Sequence, residues 1–328
     1  MENTDNQNNM YHIAQTKLFK SSFQGASMNH NSLLEKSDSK DKMTLRHFEY
    51  SSKDGVASMA DIPYYAFPKL EKISYVKHAF STREGGVSEG IFRSMNFGFL
   101  RGDKPESVRE NYHRYACLFG VSENRIVLSH QTHTTNVRVV TEEDAGKGLT
   151  RERDYTDVDG LITNVPKLVL GIFAADCVPL LFIDPVHHAI GASHSGWRGT
   201  VARMGAVTLQ KMKETYGTDP KDVIAAIGPS ICKKCYEVSE DVAERFIKEF
   251  YKDSSEIVHD DGINAAGEHK YHLDLWEANR RVLLDAGVRP ENISVTDLCT
   301  NCHPDIFFSH RFTKGQRGNN GAFIMLTE

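Results

Sequence analysis

Three short segments of the chain carry residue types that suit chemistry better than packing. Ala174-Ala175-Asp176-Cys177-Val178-Pro179 sets an acid and a thiol inside what otherwise reads as two buried strands. A carboxylate is costly to bury unpaired, so Asp176 needs a fixed cationic or hydrogen-bonding neighbour, and serves either as a general base or as an orienter of another group. Cys177 alone reads as a core thiol; beside a misplaced acid it gains weight as a ligand or nucleophile. Ser129-His130-Gln131-Thr132-His133 offers two imidazoles where a strand gives way to a loop, and His194 ends another apolar strand. Cys177, His194 and either His130 or His133 make two nitrogen donors and one thiolate, the composition of a catalytic zinc site with an open fourth position. Their separations along the chain are long, so only convergence of strand ends on one sheet edge can assemble them.

Two other constellations compete for attention. Gly191-Ala192-Ser193-His194-Ser195-Gly196-Trp197-Arg198-Gly199-Thr200 runs from a strand through a glycine-framed turn into a helix capped by Thr200. It reads either as an anion site, with Arg198 beside free helix N–H groups, or as a tight turn with a core Trp and a surface Arg. Cys232-Lys233-Lys234-Cys235 and Cys299-Thr300-Asn301-Cys302 form two C-x₂-C pairs. By spacing alone they are the leading metal site, although the gap between pairs far exceeds that of compact zinc fingers and no position is left for substrate. Arg83, in a glycine turn, and Arg311, after Phe307-Phe308-Ser309-His310, each read as a substrate clamp or a solvated charge.

The elements that must position these residues follow from periodicity. Apolar β-rich runs at 73–80, 125–130, 136–140, 168–174, 178–183, 189–194, 223–227, 293–295 and 322–326 predict strands. Helical spacing predicts helices after Pro105 and after Thr200, with Gly120 and Gly217 as C-caps, and two more over 239–250 and 274–286. Strands with and without intervening helices give an α+β fold with mixed sheets. Residues 1–61 are polar and patternless and are expected to be a disordered tail, although 45–50 suits an edge strand; 62–328 is expected to be one folded domain.

Composition narrows the function. The 328 residues allow roughly two domains or one large one, and 40% hydrophobic with 25% charged residues describes a globular chain. A formal charge of −5 supplies no cationic surface for nucleic acid. The longest apolar run is broken by Asp176 and Pro179, which excludes a membrane span, and no secretory signal is visible. Cytoplasmic location is the default expectation, with the six cysteines as thiols or metal ligands.

Taken together, Thr82-Arg83 with Gly85-Gly86-Val87-Ser88, Ser94-Met95-Asn96, Gln131-Thr132-His133, Ala175-Asp176-Cys177-Val178-Pro179, His194-Ser195-Gly196-Trp197-Arg198-Gly199, Gly228-Pro229-Ser230-Ile231, Cys235-Tyr236-Glu237-Val238 and Phe307-Phe308-Ser309 resemble the laccase-domain purine nucleoside phosphorylases. That family was long labelled polyphenol oxidase and includes a peptidoglycan editing factor. The likeness runs in consistent order from about residue 73 to 327. It implies a single-domain four-layer α/β/β/α sandwich with mixed sheets, and a zinc held by His133, Cys177 and His194, with copper able to occupy the same donors in vitro. It places Cys235 and Cys299 on family positions and so demotes the four-cysteine reading.

The implied activity is phosphorolysis of adenosine, inosine and methylthioadenosine, together with deamination of adenosine. The implied partners are purine nucleosides and phosphate, with the protein a monomer or homodimer. Catalytic roles are expected for Cys177, His194, Arg198 and Asp176, and substrate contacts for Arg83, Asn96, Gln131 and Arg311. Two rivals remain: a peptidoglycan-precursor hydrolase using Cys177 and His194, and a copper polyphenol oxidase. The oxidase reading is weakened because no two of the 15 histidines are spaced i, i+2. A zinc-stabilised binding module built on the four cysteines is the non-enzymatic alternative.

Overall fold

The computed structural model describes residues 42–51, 59–264 and 266–328. In chain order its strands begin with β1 (Thr44–Tyr50), β2 (Ala60–Ala66), β3 (Val76–Ser81), β4 (Ile126–Leu128) and β5 (Val137–Val139). They continue with β6 (Gly160–Thr163), β7 (Val169–Ala174), β8 (Val178–Asp184), β9 (Ala189–Ser195) and β10 (Ile224–Ile227). Then follow β11 (Glu237–Val238), β12 (Val258–Ile263), β13 (His269–Leu273), β14 (Ile293–Val295) and β15 (Asn320–Leu326). The helices are α1 (Pro68–Glu71), α2 (Pro105–Phe119), α3 (Trp197–Val201), α4 (Met204–Tyr216), α5 (Glu240–Glu249), α6 (Ser254–Ile257), α7 (Leu275–Asp285) and α8 (His310–Thr313).

Two six-stranded mixed sheets carry the fold, one ordered β1-β2-β3-β15-β7-β4 and the other β14-β10-β8-β9-β6-β5. Alternation along the strands assigns their faces. Ala322, Ile324 and Leu326 of β15 join Leu181, Ile183 and Ile190 in the core between the sheets. Phe323 and Met325 instead meet Tyr112, Tyr115 and Phe119 of α2 on the outer face of the first sheet. Val178, Leu180 and Phe182 of β8 pack with Leu209 and Met212 of α4, Phe246 of α5 and Val282 of α7 on the outer face of the second. Helices therefore cover both sheets, giving the four-layer α/β/β/α sandwich the resemblance implied. Burial on both faces is why the central strands read as continuous apolar runs.

The folded part starts earlier than residue 62. β1 pairs antiparallel with β2 across its whole length, and Met43 is buried, its sulfur accepting the Thr296 hydroxyl. The edge-strand alternative for 45–50 is the one the structure adopts; residues 1–41 and 52–58 of the expected tail lie outside the described residues. Asp41–Glu328 forms one compact unit. A small antiparallel sheet ordered β11-β13-β12 was not expected from the sequence, because exposed His259, Asp260 and Asp261 break its apolar pattern. No helix among the described residues is long and apolar enough to cross a membrane.

Register carries the chemistry to one end of both sheets. β4 runs parallel to β7, with Leu128 opposite Gly171, so the 129–133 segment leaves beside the C-terminal end of β7. The turn from β7 to β8 crosses between the sheets and contains Asp176 and Cys177. β9 returns antiparallel to β8 with His194 opposite Pro179, which brings its end back beside Cys177.

Candidate metal centre and cleft

His133, Cys177 and His194 converge, with one donor atom from each within 4.8 Å of the others. The Cys177 Sγ lies 3.9 Å from His133 Nε2. Metal–sulfur and metal–nitrogen bonds of about 2.3 and 2.0 Å to a tetrahedral zinc set donor separations of about 3.3–3.8 Å, so this donor set fits such an ion with little adjustment. Gly196 makes the approach possible: a Cβ there would meet His133 Cδ2 at 2.9 Å and the Cys177 sulfur at 3.0 Å.

Asp159, which the sequence reading missed, organises the site. It is fully buried and accepts the N–H groups of Thr132, His133 and Thr134 at 2.9, 3.0 and 3.1 Å, together with the Thr134 hydroxyl. These bonds hold His133 at φ 67°, a left-handed conformation uncommon for a side chain of this size. The same carboxylate lies 2.8 Å from His194 Nδ1, which reserves Nε2 for a metal, the usual carboxylate–histidine support of a ligand. Burial opposes its ionisation, but the His194 bond and charge and the backbone donors hold the carboxyl below the usual range. An acid immediately before the short apolar run Gly160-Leu161-Ile162 was the available signal, since a carboxylate there needs fixed partners as much as Asp176 does.

Cys177 and His194 form a charge-coupled pair. Burial alone would raise the thiol, but the His194 charge and hydrogen bonds from both histidines bring it down to about 6. Burial would lower His194, yet the adjacent thiolate and Asp159 push it up to about 9. Without metal, thiolate and imidazolium therefore coexist from about pH 6 to 9; below that window the thiolate gains a proton, and above it the imidazolium loses one. Metal-free protein is expected to show Cys177 alkylation by iodoacetamide that rises through about pH 6 and then levels, with added zinc protecting the residue. Peptide mass spectrometry follows this one cysteine, and a rate that climbs only above pH 8, near the ordinary thiol value of about 8.5, contradicts the pairing.

The centre opens into a cleft of about 380 Å³ bordered by Phe99, Phe173, His130, Arg101, Arg153 and Arg317. Arg317 is only 7% exposed. Its Nη1 donates to the Gly318 carbonyl and the Asn319 side chain, while its buried Nε has no acceptor among the described residues. Burial and the neighbouring Arg101 charge lower it to about 10, so it stays a cation at neutral pH. A buried guanidinium with an unused donor is a ready anion site. Arg317 sits in a patternless Gly-Gln-Arg-Gly loop, and no sequence signal marked it.

Several expected contacts have other partners. The Arg198 guanidinium lies 4.3 Å over its neighbour Trp197 at the surface and does not border the cleft. The helix there begins at Trp197 with Gly196 as N-cap, and Arg203 at φ 59° separates it from α4, so Thr200 is an interior residue, not the cap. Arg83 is spent on the Arg93 and Pro304 carbonyls and lies over Phe308. Asn96 is fully buried and binds Gly98, Asp103 and Asn319, which shapes the cleft wall without reaching the cleft. Arg311 donates to the Cys235 and Glu237 carbonyls. Gln131 does border the cleft, with its amide clipped to the Phe173 backbone. Asp176, at φ 84°, accepts the Thr300 hydroxyl and the Arg311 N–H, both at 2.6 Å, so these contacts brace the turn that presents Cys177.

A four-layer α+β sandwich with a two-histidine, one-cysteine donor set at its strand ends is the class these features define. A family model described as multi-copper polyphenol oxidoreductase laccase matches residues 77–327. The chain is 38% identical over 253 residues to the purine nucleoside phosphorylase YlmD of Bacillus subtilis strain 168, covering 76% of this chain and 88% of that one. It is 33% identical over 250 residues to the adenosine deaminase RL5 of an unknown prokaryotic organism, covering 74% and 93%. The crystal structure of the hypothetical protein YfiH of Bacillus licheniformis matches with a TM-score of 0.75 at 32% identity, covering 80% of this chain and 96% of that one. The chain belongs to this laccase-domain family, as its motifs implied.

Proposed function

We propose that this chain is a zinc-dependent purine nucleoside enzyme that phosphorolyses adenosine, inosine and methylthioadenosine and deaminates adenosine. The observation that carries the reading is the three-donor centre opening into a cleft that also holds a buried, partly unpartnered arginine. The names of the relatives, a purine nucleoside phosphorylase and an adenosine deaminase, point the same way.

His133, Cys177 and His194 would hold the ion; one thiolate and two neutral imidazoles leave it a net positive charge, so when bound it supplies Lewis acidity and hydroxide near neutral pH. Asp159 keeps the His194 proton on Nδ1. His130 accepts the Asp157 N–H at Nδ1, which leaves its ring proton on Nε2, where it can donate a hydrogen bond to the departing purine and stabilise the charge that develops there. Phe99 and Phe173 line the cleft with apolar ring surface suited to a base. Arg317, with Arg101 and Arg153, holds phosphate so that its oxygen attacks the anomeric carbon while the bond to the base breaks. This replaces Arg198 as the phosphate residue.

The peptidoglycan-hydrolase alternative needs Cys177 free as a nucleophile, and His133 at 3.9 Å from its sulfur favours a ligand role instead. The family description mentions several coppers, yet only two metal-ready clusters occur among the described residues, and one is made of thiols alone. The test is zinc-loaded protein with adenosine, with and without phosphate, and products separated by chromatography beside a His133→Ala control. Phosphate-dependent adenine and phosphate-independent inosine, both lost in the variant, are expected. Absence of product from adenosine, inosine and methylthioadenosine overturns the proposal.

A further inference from the structure

We infer that Cys232, Cys235, Cys299 and Cys302 hold a second, structural metal ion of zinc-like softness, separate from the His133–Cys177–His194 centre. All four sulfurs lie within 4.8 Å of one another, and Cys235 and Cys302 approach to 3.4 Å. A tetrahedral zinc with bonds of about 2.3 Å to sulfur spaces its thiolates about 3.8 Å apart, so four ligands are already grouped at the required scale.

Topology explains how pairs so distant in sequence meet. β10 and β14 are parallel neighbours with Ile227 opposite Val295, so both chains leave the same end of the sheet. They stay together beyond it: Ser230 bridges Cys299, and the Thr300 N–H donates to the Ser230 carbonyl. The residues between Cys235 and Cys299 fold as the small sheet, α5, α6, α7 and β14, which leaves the two C-x₂-C turns facing each other. Within the first turn, the Cys235 N–H bonds the Cys232 carbonyl and curls both sulfurs to one side.

The surroundings suit thiolates better than packed thiols. Cys299 is buried at the margin of the core, Cys232 and Cys235 are half-buried against it and Cys302 is exposed, so the cluster sits where core meets surface, within reach of an ion from solvent. The Cys299 sulfur accepts the N–H groups of Cys232 and Cys302 at 3.2 and 3.4 Å, donors that a metal-bound thiolate takes. Four thiolates around a divalent ion carry a charge of minus two, and two cationic residues, Lys233 and Lys234, lie between the first two ligands along the chain.

The site would also brace the turn beside Cys177. Thr300 lies between the ligands Cys299 and Cys302 and donates to Asp176, while Arg311 ties the Cys235 carbonyl to Asp176 through its own N–H. Loss of the ion would loosen both grips on the residue next to Cys177.

Elemental analysis of the full chain purified under reducing conditions and saturated with zinc tests this. Two equivalents per chain are expected, one in His133→Ala protein, and one in the Cys235→Ser/Cys302→Ser variant. Cobalt(II) added to His133→Ala protein is expected to give the intense thiolate-to-cobalt charge-transfer spectrum of a four-sulfur tetrahedral site; this measurement decides the matter if the double variant does not fold. A folded His133→Ala protein that binds no metal, or a Cys235–Cys302 disulfide in protein isolated under reducing conditions, overturns the inference.

Discussion

Asp159→Ala protein is expected to lose both stability and metal. The carboxylate serves five donors: the N–H groups of residues 132, 133 and 134, the Thr134 hydroxyl and His194 Nδ1. Each buried donor left without a partner costs about 1–3 kcal/mol, and partial relaxation or entry of water relieves some of them, so a net loss of about 3–5 kcal/mol is the expected scale. Zinc affinity should fall roughly 10- to 100-fold, as is usual when the residue supporting a ligand is removed, because His194 loses its fixed ring orientation and the 132–134 loop loses its template. Asp159→Asn keeps the shape and one carbonyl acceptor and should retain more stability than metal affinity. Denaturant unfolding and chelator competition read the two effects separately. Zinc binding at wild-type affinity in Asp159→Ala protein would show that the loop holds itself.

Arg317→Met is expected to separate the two proposed activities. Removing a guanidinium that binds and aligns the attacking phosphate costs on the order of 10²-fold in rate, and phosphate is the only anionic reactant of the pair. Phosphorolysis should therefore drop by that order in kcat/KM while deamination falls far less, so the ratio of adenine to inosine collapses. Arg317→Lys should recover only part of the loss, since an ammonium restores charge without the planar fork. The variant gives up the Nη1 bonds to the Gly318 carbonyl and the Asn319 side chain, and it also sheds a buried guanidinium repelled by Arg101 and held below its ordinary pKa. The two effects oppose each other in a methionine of similar length, so Tm should change little. Equal loss of both activities would place Arg317 on the common nucleoside site and remove it as the phosphate residue.

Much of the scaffold was legible because its strands are buried on both faces and its helices begin and end on readable residues. The Pro105 start and Gly120 cap of α2, and the Asp274 cap of α7, stand where periodicity put them. β6 escaped because four buried residues make no period. β1 was weighed only as an edge strand within an expected tail, since edge strands carry little apolar signal. In the site, Cys177 and His194 were visible as polar residues interrupting apolar runs. Arg198 misled because an arginine beside a turn looks the same whether it faces a ligand or stacks on its neighbouring Trp, as it does here.

By itself, the sequence determined the types of donor and the strand ends on which they sit, because a buried strand cannot tolerate a charge or an imidazole without a use for it. It also carried the family motifs. Which histidine joins Cys177 and His194 was settled in the sequence only by resemblance, and in space by Asp159, whose backbone contacts turn His133 inward. Pairing of the distant cysteines and the placing of a buried Arg317 at the cleft wall were decided only by the tertiary structure. Such features depend on the register of β8 against β9 and on the adjacency of β10 and β14. Strand order is a property of the whole packed core, and no local pattern encodes it.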